Sequence, residues 1–138
     1  MKPGKSVLLV DDDVDFVAVN RIALEAAGFE VHVAHSSAEA IEVAVRVLPD
    51  AAILDVVMDR PDEGFELARK LRQDERTRSM KLVLLSSVNE INRRKGLGYR
   101  FSDQDRDEQW LPVDKVLEKP VRARKLVSIL ENLMEGSA

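Results

Sequence analysis

The chain reads as an α/β protein built on a doubly wound, five-stranded parallel sheet with helices on both faces. Three observations predict this. Short apolar runs recur along the chain, segments with helical spacing separate them, and four of the five runs end in a residue able to do chemistry. Strands that read as unbroken apolar runs are buried on both faces, and strands separated by helices run parallel.

Val7-Leu8-Leu9-Val10 is the first strand, stopped by Asp11-Asp12-Asp13. Val14, Phe16, Val17, Ile22, Leu24 and Ala27 then recur at helical spacing until Gly28, a natural residue to follow a helix end. Asp13 suits the N-cap of that helix or its first turn. Glu30 to Ala34 is the second strand. Ser36-Ser37-Ala38-Glu39 resembles a capping box, with Ser36 as N-cap, and its helix stops at Pro49-Asp50. Ala51-Ala52-Ile53-Leu54 is the third strand and ends at Asp55. A loop from Met58 to Gly64 precedes a helix carrying Phe65, Leu67, Ala68 and Leu71. Leu82-Val83-Leu84-Leu85 is the fourth strand, Val116-Leu117 the core of the fifth, and a last helix spans about Arg122 to Met134.

Composition excludes several function classes. The 138 residues suit one domain. With 21 basic and 25 acidic side chains the net charge is −4, so no positive field recruits nucleic acid or an anionic membrane. Cysteine is absent, which removes disulfides, thiolate metal sites and cysteine nucleophiles. No apolar run approaches the ~20 residues of a membrane helix, and Met1 to Lys5 lead into a strand with no signal-peptide core. The expected setting is the cytoplasm. His32 and His35 lack a second His or Cys at ligand spacing and read as surface histidines.

In a doubly wound sheet, ligands bind beyond the carboxyl ends of the strands. That edge collects Asp11 and Asp12, Asp55, Ser86 and Lys119, whose separations of 44, 31 and 33 residues only such a fold closes. Three converging carboxylates repel one another unless a cation sits among them, and Mg²⁺ suits an all-oxygen set. A lysine beside them suggests an anion bridging metal and ammonium, for which phosphoryl is the obvious candidate. Asp55 is then either the nucleophile or a third metal ligand.

Val10-Asp11-Asp12-Asp13, Leu54-Asp55, Leu85-Ser86-Ser87 and Glu118-Lys119-Pro120 together resemble the receiver domain of two-component response regulators. The resemblance runs from about Lys5 to Met134 and implies the flavodoxin-like (βα)₅ fold of the chemotaxis-regulator type, a receiver over residues 5–134 with no output domain in this chain. It implies that Asp55 accepts a phosphoryl group from a histidine kinase or histidine phosphotransfer protein. It also implies that Asp11, Asp12, Asp55 and the Val57 backbone carbonyl hold Mg²⁺, that Ser86 is the switch hydroxyl, and that Lys119 contacts the phosphoryl group ahead of a cis Pro120. Such a domain catalyses only its own phosphorylation and dephosphorylation. Its downstream protein target docks on the face formed by the fourth helix, fifth strand and fifth helix, and it is a monomer or weak dimer. A stand-alone receiver, a phosphorelay shuttle and the receiver part of a longer regulator would all carry these residues.

Three departures matter. Asp59 stands where receivers often have proline, with Pro61 and Gly64 displaced along the loop. Val116 replaces the aromatic switch residue, so a ring flip is impossible. The 33 residues from Ser86 to Lys119 exceed the family's usual spacing, marking an enlarged segment at about 91–113. That segment holds Tyr99, Phe101 and Trp110 and reads as a docking surface or as an irregular fourth helix. An aspartyl phosphatase would carry a second acid two positions after Asp55, where Val57 stands. A nucleotide-binding enzyme would need a glycine-rich turn after the first strand, which is missing. A receiver-like interaction module independent of phosphorylation is the remaining alternative.

Overall fold

The computed structural model describes residues 5–55, 63–86, 113–118 and 121–135. Their order is β1 (Ser6–Val10), α1 (Val14–Ala26), β2 (Glu30–Ala34), α2 (Ser37–Val47), β3 (Ala51–Asp55), α3 (Glu63–Gln73), β4 (Lys81–Ser86), β5 (Lys115–Glu118) and α4 (Ala123–Glu135). All four strand pairs are parallel, in the order β2-β1-β3-β4-β5. The flavodoxin-like receiver fold expected from the sequence is therefore present. The segment expected to be enlarged lies outside the described residues except at its end, where Val113 is buried in the core.

Alternation along each strand sends successive side chains to opposite faces. Leu8, Val10, Ala52, Leu54, Leu82 and Leu84 pack toward α2 and α3. Val7, Leu9, Ile53, Val83, Leu85 and Leu117 pack toward α1 and α4. Each fully buried leucine contributes roughly 1.5–3 kcal/mol, so both faces of the sheet anchor it. No described helix is long and apolar enough to cross a membrane.

Helix ends follow local chemistry. The Asp13 side chain accepts from the Phe16 N–H at 3.1 Å and caps α1. At its other end Gly28 takes φ 100°, Gly28 N–H donates to Glu25 and Phe29 N–H to Leu24, closing a Schellman turn. A side chain at Gly28 would meet nothing within 4 Å, so the backbone angle alone calls for glycine. α2 ends instead on Leu48 at φ 54°, a left-handed conformation costing a leucine roughly 1–2 kcal/mol. At the start of α2 the Ser36 hydroxyl accepts from the Glu39 N–H, as the capping box predicts. The reciprocal arm differs, because the Glu39 carboxylate accepts from the His35 N–H.

One boundary is corrected. Glu63 and Gly64, expected in a loop, already belong to α3 and are buried. β5 is held in place by residues that periodicity does not single out. Arg72 donates to the carbonyls of Arg78 and Met80 and to the Asp114 carboxylate, which also accepts from the Leu82 N–H at 2.7 Å.

Asn20 sits in the α1 core face at 4% exposure; its Nδ2 donates to the Phe16 carbonyl, while Oδ1 has no partner. An orphaned buried acceptor costs about 1–3 kcal/mol, so Asn20→Leu is expected to raise the unfolding free energy by ~1 kcal/mol in urea denaturation. At the end of α3, hydrogen bonds from the Arg76 guanidinium, then from its backbone N–H, lower the pKa of Asp74 from 3.8 to about 2. A carboxylate depressed by folding stabilises above its unfolded value, and the contribution is lost as pH falls from about 4 toward 2. Carboxyl NMR titration should find Asp74 near 2 and raise it only part of the way toward its ordinary value in Arg76→Ala, which removes the guanidinium but keeps the backbone N–H.

Candidate functional site

The strand order reverses direction at β1, whose neighbours are β2 on one side and β3 on the other, and the crevice at such a point is where doubly wound sheets bind ligands. Val10 pairs with Leu54 across β1 and β3, so the next residues, Asp11 and Asp55, leave the sheet level with one another. Asp11, Asp12 and Asp55 each present a carboxylate oxygen, and the three oxygens lie within 4.8 Å of one another. Asp11 is 0% exposed, Asp55 is 3% exposed, and Asp12 faces solvent.

The local fold aims these groups. The Asp11 N–H continues the ladder to the Ala34 carbonyl at 3.1 Å, and Asp11 Oδ1 accepts from the Asp13 N–H at 2.9 Å. One turn of chain therefore orients Asp11, exposes Asp12 and commits Asp13 to capping α1. Asp55 ends the central strand and pairs with Leu85 of β4. An acidic, all-oxygen donor set of this size fits a hard divalent cation such as Mg²⁺, which keeps several waters and takes few carboxylates.

Of the residues expected at the site, Asp11, Asp12 and Asp55 are brought together. Ser86 ends β4 in register with Glu118 of β5, one residue beyond the level of Asp55. Its side chain, and the whole of Val57, Lys119 and Pro120, lie outside the described residues. Val116 is 5% exposed in the layer facing α2 and α3, paired with Leu84, so an aliphatic side chain occupies the aromatic switch position.

Two neighbours of the site escaped sequence reasoning. His35, read as a surface histidine, places Nδ1 3.1 Å from the Asp11 carbonyl oxygen, while His32 pairs with Glu30. Ser37 donates to the buried Glu63 carboxylate at the start of α3. The signal for the first was its place immediately after a strand at the ligand edge. For the second there was none, since a serine in a helix's first turn and a glutamate before a glycine are both ordinary.

The family model described as the response regulator receiver domain matches residues 7–103. The phosphate regulon transcriptional regulatory protein PhoB of Pseudomonas aeruginosa is 32% identical over 133 residues, covering 95% of this chain and 52% of that protein. The transcriptional regulatory protein GltR of the same organism is also 32% identical over 133 residues, covering 95% and 49%. The chain thus spans about half the length of these relatives. Among solved structures, a sensor protein from Polaromonas sp. JS666 superposes with a TM-score of 0.77 at 30% identity, covering 99% of this chain and 100% of that one. The chemotaxis response regulator CheY4 of Vibrio cholerae shares the fold, with a TM-score of 0.70 at 24% identity over 94% and 98% of the two chains. The acidic cluster, the parallel sheet that builds it and these matches together make the chain a member of the response regulator receiver domain family.

Proposed function

We propose that this domain accepts a phosphoryl group on Asp55 from the phosphohistidine of a histidine kinase or histidine phosphotransfer protein. The observation that carries the reading is the convergence of three carboxylate oxygens within 4.8 Å at the carboxyl edge of the sheet. A nucleophile and a cation site are then the same cluster. An Asp55 oxygen attacks phosphorus, a P–O bond forms, and the P–N bond breaks with its electron pair leaving on the donor imidazole. Mg²⁺ bound by Asp11, Asp12, Asp55 and the Val57 carbonyl would neutralise charge on the phosphoryl oxygens. Ser86 and Lys119 are assigned the remaining phosphoryl contacts, and Pro120 the backbone turn after Lys119.

Burial of Asp11 and Asp55 supports the chemistry, because charges stabilised in a water-poor site interact more strongly than in solvent. Asp13 is taken up in capping α1 and stands outside the cluster. The output surface is assigned to the face of β5, the last helix α4 and the additional helix that the sequence expects between β4 and β5, toward a downstream protein target. We assign the chain no turnover beyond its own phosphorylation and dephosphorylation, a cytoplasmic setting, and a monomeric or weakly dimeric state. Val116 favours a second reading, an interaction module that works without phosphorylation, since no ring at this position reports the state of Asp55.

Intact-mass measurement after incubation with Mg²⁺ and a small-molecule phosphodonor separates the two. The expected result is a single phosphoryl adduct, lost in Asp55→Asn and in EDTA; no adduct on the wild type would leave the phosphorylation-independent module. Calorimetric titration with Mg²⁺ gives a further check on the acidic cluster. Asp12→Asn should weaken binding by more than about tenfold, since loss of a ligand outweighs the ~10–100-fold typical of groups that merely orient one. Unchanged affinity would remove Asp12 from the metal site.

A further inference from the structure

The turn between β2 and α2 contacts the end of β1 and the start of α3 through side chains that phosphoryl transfer does not use. His35 follows β2 directly, and its Nδ1 contacts the Asp11 carbonyl oxygen at 3.1 Å. A carbonyl can only accept, so Nδ1 carries the proton in this contact. The turn is itself held at two points. The Glu39 carboxylate accepts from the His35 backbone N–H at 2.6 Å, and the Ser36 hydroxyl accepts from the Glu39 N–H at 3.2 Å.

Ser37 opens α2 and donates both its hydroxyl and, at 3.3 Å, its backbone N–H to Oε2 of Glu63. Glu63 is 6% exposed and stands at the first described position of α3. A carboxylate so buried needs donors, and the first turn of α2 supplies a hydroxyl, an otherwise orphaned N–H and the positive end of the helix dipole. The bond therefore locks the start of α3 to the start of α2. Residues 56–62 join Asp55 to Glu63, so it also fixes the point at which the chain leaving Asp55 must rejoin the fold.

We propose that His35 and Ser37 are positioning residues of the phosphoacceptor site: the β2–α2 turn braces the end of β1 through the Asp11 carbonyl and the far end of the Asp55 connection through buried Glu63. Neither side chain touches a reacting atom. Their effect is on how closely the carboxylates are held for a cation, and so on Mg²⁺ affinity before any phosphoryl group arrives. The consequence for phosphorylation rests on the proposed function; the consequence for Mg²⁺ binding does not.

The test uses the full chain and compares wild type with His35→Ala, Ser37→Ala and Ser37→Thr. Three quantities are read: affinity for Mg²⁺ alone by calorimetry, the Mg²⁺ dependence of phosphoryl incorporation by intact mass, and the melting temperature. Ser37→Ala is expected to bind Mg²⁺ up to about tenfold more weakly, the low end of the ~10–100-fold seen on losing a direct partner of a metal ligand, because its support reaches the cluster through Glu63. Ser37→Thr, which keeps the hydroxyl, should return the affinity to the wild-type value. In Ser37→Ala the Mg²⁺ concentration giving half-maximal incorporation should rise while the rate at saturating Mg²⁺ is retained. A lowered melting temperature with wild-type Mg²⁺ affinity would overturn the proposal, because the bonds would then be structural only. If Ser37→Ala fails to fold, His35→Ala decides, since it leaves the start of α2 intact; wild-type Mg²⁺ affinity there overturns the brace. A wild type that binds Mg²⁺ but takes no phosphoryl group overturns the phosphoacceptor reading alone, and one that binds no Mg²⁺ overturns both.

Discussion

Parallel pairing of β1 with β3 is the constraint from which the rest of the site follows. Neighbouring strands lie about 4.8 Å apart, and Val10 and Leu54 are partners, so the residues that follow them emerge side by side. When both of those residues are aspartates, two carboxylates meet at a distance the sheet dictates. They cannot retreat into water, because the helices packed on each face of the sheet leave Asp11 and Asp55 almost wholly inaccessible. The apolar core thus does more than stabilise the fold. It forces a costly encounter of like charges, and a cation is the natural relief.

The surrounding structure distributes that burden over separate jobs. Asp11 is buried and oriented by the Asp13 N–H, Asp13 caps α1, and Asp12 is exposed to solvent beside the other two carboxylates of the cluster. Three identical side chains in a row are thus placed differently by one turn: one buried, one exposed within the acidic cluster and one capping a helix. The same economy appears at β2–α2, where one short turn contacts both the end of β1 and the start of α3.

What was legible in the sequence was whatever depends on local chemistry or on position along a strand. Gly28 as a helix stop, Asp13 and Ser36 as caps, the bounds of β2 and the gathering of Asp11, Asp12 and Asp55 all follow from residue type read against an α/β rhythm. What was not legible involves ordinary residues that matter only through tertiary contact. Arg72 and Asp114 are 42 positions apart and each resembles a surface charge. Glu63 looked like a loop residue because its burial against Ser37 is decided by how α2 and α3 pack. Leu48 in a left-handed conformation and Asn20 with an unmet acceptor run against local preference, and tertiary packing alone sustains them.

The Arg72–Asp114 contact has a bearing on how the molecule assembles. β4 ends at Ser86 and β5 begins at Lys115, so pairing them closes a long stretch of chain between consecutive strands. Closing a connection of that length costs on the order of 3 kcal/mol of chain entropy before β5 gains a single ladder bond. Arg72, already fixed by the carbonyls of Arg78 and Met80, offers the returning chain a charged landing point one residue ahead of β5. The edge strand and the helix behind it are therefore the natural last unit to join the nucleus and the first to detach. Local opening of this C-terminal unit would leave the β1–β3 ladder itself in place while uncovering the sheet face that α4 covers.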